Sequence, residues 1–433
     1  MQLSEEQILS LAPDESSKKS GKELANPSKW VSKGVNELAL WGECQGSGSK
    51  PYQAQVDLSN IAFKCSCPSR KFPCKHGIGL LLLYTRHKAD FKTVNAPDWV
   101  MEWLNKRSEK QEKQAEKKEK PVDAAAQAKR QQARQQKVGD GVEELLLWLK
   151  DIVRNGILNM PEKDPSYFEN MSRRMIDVQA PGLAGMVRSL GAVNFYQEGW
   201  QSEFMEQLAR IYLVISGYKN LQSLPEGLQH DVRTWIGFTY NQDALKEQAG
   251  LTDTWLVLGK QTTDEDNITV ERNWLYGTSC NQYALVLQFI VRGQGAQHML
   301  TPGLFIEAEL VYFPSALPLR AIIKRQLAVT PVASYKAFMN WQQVMEAETV
   351  AGSSLPFHSE RPYIIQGLRP VQYQQQWWLR DAGNGMMRIK HSFKNIWKLL
   401  SLSGGEPLNV AVVGKENYYE PIGLWHQQEY KLL

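Results

Sequence analysis

The stretch KCSCPSRKFPCKHG, Lys64 to Gly77, holds three of the chain's five cysteines and one of its seven histidines between Cys65 and His76. Cys65, Cys67, Cys74 and His76 follow the spacing Cys-x-Cys-x6-Cys-x-His. They supply the number and kinds of donor that a structural Zn2+ takes in a tetrahedron. Before them, PYQAQVDLSNIAFKCSC reads as a strand, a turn at Ser59-Asn60 and a second strand, on which Cys65 and Cys67 share a face. After them, Pro73 suits the first position of a helix, and KHGIGLLLLYTRH continues it, with Ile78, Leu81, Leu82 and Thr85 as the face that covers the strands. On a regular helix Cys74 and His76 would diverge by about 200°. They therefore need an irregular first turn, where Gly77 permits close approach.

Other uses of three thiols are small buried core residues, a Cys65–Cys67 redox pair, or an iron–sulfur cluster. The histidine and the strand-loop-helix setting favour one zinc ion. With four protein donors no coordination position is left for water, so the metal is expected to be structural. The solitary Cys44 and Cys280 read as ordinary packed thiols.

The spacing and its flanks closely resemble the SWIM zinc finger, a small ββα module. Tyr52, Cys65, Ser66, Cys67, Pro68, Pro73, Cys74, Lys75 and His76 stand where that family's pattern places them, over roughly residues 36–84. The chain is also similar in length and flanking sequence to the bacterial SWIM zinc finger proteins. That resemblance gives an organisation and no activity for the remainder. It implies a second kind of partner as well, an assembly with a MoxR-type ATPase and von Willebrand A-type domain proteins.

A chain of 433 residues exceeds one ordinary hydrophobic core, and 42% apolar residues with 14 Trp can fill several. The expected class is α+β and multidomain. Residues 1–104 form the zinc module, with Ser4 capping a helical lead-in. Residues 105–140 contain no large apolar side chain except Val122 and Val138 and read as a charged, partly helical linker. Residues 141–250 show helical periodicity. From Leu251 to the end, runs such as TWLVLGKQ, NITVERNWLYG, YALVLQFIVRG and FIEAELVYF predict a mostly antiparallel β domain with helices near residues 335–347 and 393–402. On a strand, Trp377 and Trp378 cannot both face one core. Arg388, Lys390 and His391 read as decoration of a strand end.

No apolar run is long enough to span a bilayer and the N-terminus has no signal-peptide pattern, so a cytoplasmic, membrane-free protein is expected. Phosphate-loop, H-E-x-x-H and G-x-S-x-G patterns are missing from the sequence, which gives no reason to expect an enzyme.

Between Asn60 and Gly139 there are 18 Lys or Arg against 8 Asp or Glu; with a total of +4, the rest carries about −6. Lys64, Arg70, Lys71, Lys75, Arg86 and Lys88 surround the metal ligands, with Phe63 and Phe72 among them as stacking faces. That pattern suits DNA or RNA phosphates. The alternative is a scaffold that recruits protein partners.

Overall fold

The computed structural model describes residues 3–46, 50–58, 61–69, 71–116, 124–265, 268–291, 298, 300–330, 334–427 and 429–433. The expected turn at Ser59-Asn60 and the side chain of Arg70 lie outside them.

The N-terminal module is built in layers. Helix α1 (Glu5–Ser10) starts with a capping box: Gln7 N–H donates to Ser4 Oγ, and Ser4 N–H donates to Gln7 Oε1. Asp14 caps α2 (Glu15–Leu24) by accepting from Ser17 N–H at 2.7 Å. Strands β1 (Trp30–Val35), β2 (Ala39–Cys44), β3 (Tyr52–Asp57) and β4 (Ala62–Cys65) form an antiparallel meander. A two-residue β5 (Lys92–Thr93) lies parallel to β1 at its edge.

Helix α3 (Lys75–Arg86) crosses this sheet. Every residue from His76 to Leu83 is buried, because α1 and α2 close over the side away from the strands. The helices touch through glycines: a Cβ on Gly21 would stand 2.6 Å from Ile78 Cγ2, and one on Gly79 would stand 2.7 Å from Leu24 Cβ. The single-face expectation for α3 is thereby replaced by burial on all sides, which an apolar run without polar interruption demands. The opposite sheet face, with Ala39 and Trp41, is covered by Val100 and Leu104 of α4 (Asp98–Glu116), and Arg107 Nε reaches Asp57 at 3.4 Å.

Helix resumes at Ala124 in α5 (Ala124–Asn155), within the stretch read as linker. Val138 is buried, and Arg134 donates to the carbonyls of Gln179 and Gly237. Helices α6 (Ser166–Asp177), α7 (Pro181–Gly191), α8 (Trp200–Lys219) and α9 (Glu226–Ile236) pack with α5 around Leu145, Phe168, Leu183, Phe204 and Ile211. The short α10 (Gln242–Glu247) follows.

Strands β6 (Leu251–Glu265), β7 (Ile268–Gly277), β8 (Tyr283–Val291), β9 (Phe305–Tyr312) and β10 (Arg320–Thr330) close a barrel in the circuit β6-β7-β8-β10-β9. Only the β8–β10 pair is parallel. Helix α11 (Trp341–Ser354) then leads to β11 (Arg361–Tyr373), β12 (Gln376–Arg380) and β13 (Met386–Ile389). After α12 (Ile396–Ser403) come β14 (Leu408–Lys415), β15 (Tyr418–His426) and β16 (Glu429–Leu432). These repeat the first circuit: β11-β12-β13-β15-β14, again with one parallel pair, β13–β15, and β16 added beside β15. The architecture is thus α+β and multidomain, with mostly antiparallel sheets. Among the described residues no helix is long and apolar enough to cross a membrane.

Candidate metal centre

Three short elements deliver the four donors. Cys65 is the last residue of β4, paired with Ala54 of β3, and its side chain packs toward the module core. Ser66 N–H donates to the Gln53 carbonyl and Gln53 N–H donates to Ser66 Oγ at 2.9 Å, which turns the chain away from the sheet and places Cys67 beyond it. Pro73 lies just outside the helix. Cys74 is the N-cap, with extended backbone (φ −76°, ψ 164°), and Lys75 is the first helical residue. The expected placement of Pro73 at the first helical position is corrected: it precedes the N-cap, two positions before Lys75.

The cap geometry also answers how Cys74 and His76 meet. Cys74 is not helical, so the 200° divergence of a regular helix does not apply, and His76 Nδ1 comes within 3.9 Å of Cys74 Sγ. Cys65 Sγ lies 3.7 Å from the same nitrogen, and the four ligand atoms all fall within 4.8 Å of one another. Zinc bonds of about 2.3 Å to sulfur and about 2.0 Å to nitrogen imply tetrahedral edges of about 3.5–3.8 Å. The cluster is already near that size. Two cysteines plus a cysteine–histidine pair are the donor chemistry zinc prefers, and these residues are positioned to bind one zinc ion.

Electrostatics favours thiolate at the helix end. The hydrogen bond from Cys65 pulls the Cys74 thiol down against its burial, with help from His76 and the Gly77 N–H. Cys65, the donor in that bond and largely buried, is pushed well up. Burial raises Cys67. Tyr52 rests its ring against His76, centroids 5.1 Å apart, and fixes the imidazole from the strand side. Gly77 is required: a Cβ there would meet Phe63 Cδ1 at 2.7 Å.

The basic residues divide. Lys64 and Lys75 are exposed and flank the ligands on β4 and α3. Lys88 is exposed, with Nζ 5.9 Å from the Tyr84 ring centroid. Lys71 is paired with Asp14 at 2.7 Å, and Arg86 grips Glu5 with two hydrogen bonds of 2.8 and 2.7 Å. These two cations clasp α2 and α1 to the finger. The stacking role expected of the phenylalanines is overturned for Phe63, which is buried beneath α3 and meets the half-buried Phe72 edge to face at 6.4 Å. Cys44 is buried and is not among the four clustered donors, and burial raises its thiol. Cys280 sits beside Asp253, its thiol pushed up to about 11 by burial and that carboxylate.

The SWIM zinc finger family model matches residues 55–84, and that of the SWIM-associated four-helix bundle domain matches residues 133–236. No curated protein and no solved structure matches the chain.

Proposed function

From a chain that is a SWIM-type zinc finger protein carrying its associated four-helix bundle, we propose a non-catalytic, cytoplasmic protein that binds nucleic acid beside its zinc centre. The supporting observation is the pair Lys64 and Lys75. Each adjoins a ligand cysteine in sequence, each is exposed, and neither has an ion-pair partner among the described residues. Closure of the metal by four protein donors favours a structural zinc over a catalytic one. In the same reading residues 1–104, 141–250 and 251–433 are three units, with 105–140 connecting the first two.

Replacing Lys64, Lys75 and Lys88 with Ala tests this. Zinc content should stay constant while DNA or RNA affinity falls, and each lost phosphate contact should flatten the log–log salt slope by about 0.7–0.9. Equal affinities and slopes for variant and parent would refute phosphate contact at the finger.

A second reading is a protein scaffold, supported by apolar side chains that the helical domain leaves in solvent: Leu158 is 76% and Tyr196 95% exposed. Its partners would be the MoxR-type ATPase and von Willebrand A-type domain proteins that the family resemblance implies. A complex that survives nuclease and high salt would favour this reading.

A further inference from the structure

Numbered within each unit, strands β6–β10 and β11–β15 both follow the circuit 1-2-3-5-4-1 with strands 3 and 5 parallel. In the second unit a helix, α12, stands between strands 3 and 4. This is the Greek-key winding of the five-stranded OB barrel, whose strand 2–3 face and flanking 1–2 and 4–5 loops bind oligonucleotides or oligosaccharides. Winding alone assigns no ligand. The two faces themselves differ.

On the first barrel that face is used up. Trp274 and Tyr276 of its strand 2 and Tyr283 of its strand 3 pack against Ile364, Ala411 and Val413 of the second unit. The backbone N–H of Ile364 donates to Tyr283 Oη at 3.1 Å.

On the second unit the face is open. Trp377, Leu379, Met387 and Ile389 point into its core, so Trp378, Arg380 and Arg388 point out. Arg388 lies opposite Trp378 across the strands, its guanidinium carbon 5.0 Å from that ring's centroid and 5.5 Å from Tyr418's, and donates to Tyr418 Oη at 2.7 Å. Tyr373, 53% exposed, begins the 1–2 hairpin, which turns through the left-handed residues Gln374 and Gln375. Tyr418, 39% exposed, ends the 4–5 loop. Residues 361–433 carry nine Lys or Arg and five Asp or Glu. One of those five, Asp381, is buried and accepts the N–H groups of Trp341 and Gly385.

We propose that this face, Tyr373, Trp378, Arg380, Arg388 and Tyr418, binds single-stranded nucleic acid. Flat aromatic and guanidinium surfaces stack unpaired bases, which a duplex hides, while the arginines meet phosphates. The inference rests on the nucleic-acid reading above and adds to the finger's phosphate contact a strand-selective one on the second barrel.

The test uses the full-length chain with a fluorescent 15-nucleotide oligo-dT and a 15-base-pair duplex, over a salt series. The parent should prefer the single strand. Arg380→Ala with Arg388→Ala should weaken oligo-dT binding at least tenfold and flatten its salt slope by about 1.4, with zinc content and melting unchanged. Tyr373→Ala with Tyr418→Ala should weaken it fivefold or more at an unchanged slope, and serves if the arginine variant melts early. A parent that binds the oligonucleotides while both barrel variants match it overturns this inference and leaves the finger reading standing, as does a preference for duplex. A parent that binds neither oligonucleotide overturns both.

Discussion

Replacing Cys67 with serine removes one zinc donor without emptying a core, because Cys67 lies past the end of β4 and the module's interior is formed by Ile8, Leu40, Val56, Ile78 and Leu80. The metal therefore acts as a ligand of a module that already packs. Its contribution follows mass action: at free zinc 1,000-fold above the dissociation constant, binding stabilises the folded module by about 4 kcal/mol. For a unit of this size each kcal/mol moves the midpoint by about 4–8 °C, so chelation or Cys67→Ser should lower the module's transition by about 16–32 °C. The transition of the helical bundle, with its own core around Leu145, Leu183 and Phe204, should stay in place. Scanning calorimetry paired with elemental analysis reads both quantities: one zinc per chain in the parent, and loss of tightly held zinc in the variant. Cys44→Ala is the control, a fully buried thiol outside the cluster that should cost packing energy and leave zinc content untouched. Full zinc content in Cys67→Ser, or a bundle transition that falls with the module's, would refute the reasoning.

Gly79→Ala should destabilise the module by about 1–3 kcal/mol in chemical denaturation, since the added methyl meets Leu24 Cβ at 2.7 Å and the Gly21 carbonyl oxygen at 3.2 Å. The clasp of α1 and α2 should be acid-sensitive. Hydrogen bonds from Arg86 and Lys71 hold Glu5 and Asp14 below the usual carboxylate range. Carboxyls depressed in the folded state stabilise it above their unfolded values near 4 and lose that contribution as pH falls through the folded ones. Amide exchange in residues 5–24 should therefore rise in acid before exchange in the bundle does; simultaneous loss would refute it. Limited trypsin should cut between Arg107 and Lys129 first and release a zinc-retaining N-terminal fragment, whereas resistance there would mean that the stretch is packed along its whole length.

The metal centre was legible because its chemistry is local. Four donors within twelve residues carry their own spacing rule, and the strand before them and the helix after them are read from the β3–β4 pattern and the apolar run beyond His76, whereas the N-cap role of Cys74 came only with the structure. The run IGLLLLY held more than a single-face reading extracted from it: apolar on every side, it required a second covering layer, which α1 and α2 provide. Strand β10 was harder to see, since Arg320, Lys324 and Arg325 interrupt its apolar positions, and β11 is masked by Pro362, Gly367 and Pro370. The barrel closures had no sequence signal at all. Both parallel pairs join strands that are far apart in the chain, and such pairings leave no period to detect.

Charge reading fails for a related reason. Counting cations along Lys64–Lys88 treats each as free, yet Lys71 and Arg86 are neutralised by Asp14 and Glu5, more than fifty residues upstream. The count therefore overstated the finger. The same non-locality hid the second barrel: Trp378 and Arg388 read separately as half of a tandem tryptophan and a strand-end cation, and join Tyr418 in one surface only when β12, β13 and β15 are laid side by side. A metal site needs donor types at short spacing and is announced by sequence. A nucleic-acid face needs side chains on one side of several strands, so its charge and stacking area are properties of the register. On the proposed nucleic-acid reading, phosphates go to the cations left unpaired after folding, so Arg380→Ala should weaken oligo-dT binding more than Arg86→Ala, whose guanidinium Glu5 already holds; equal losses in the same binding assay would refute this.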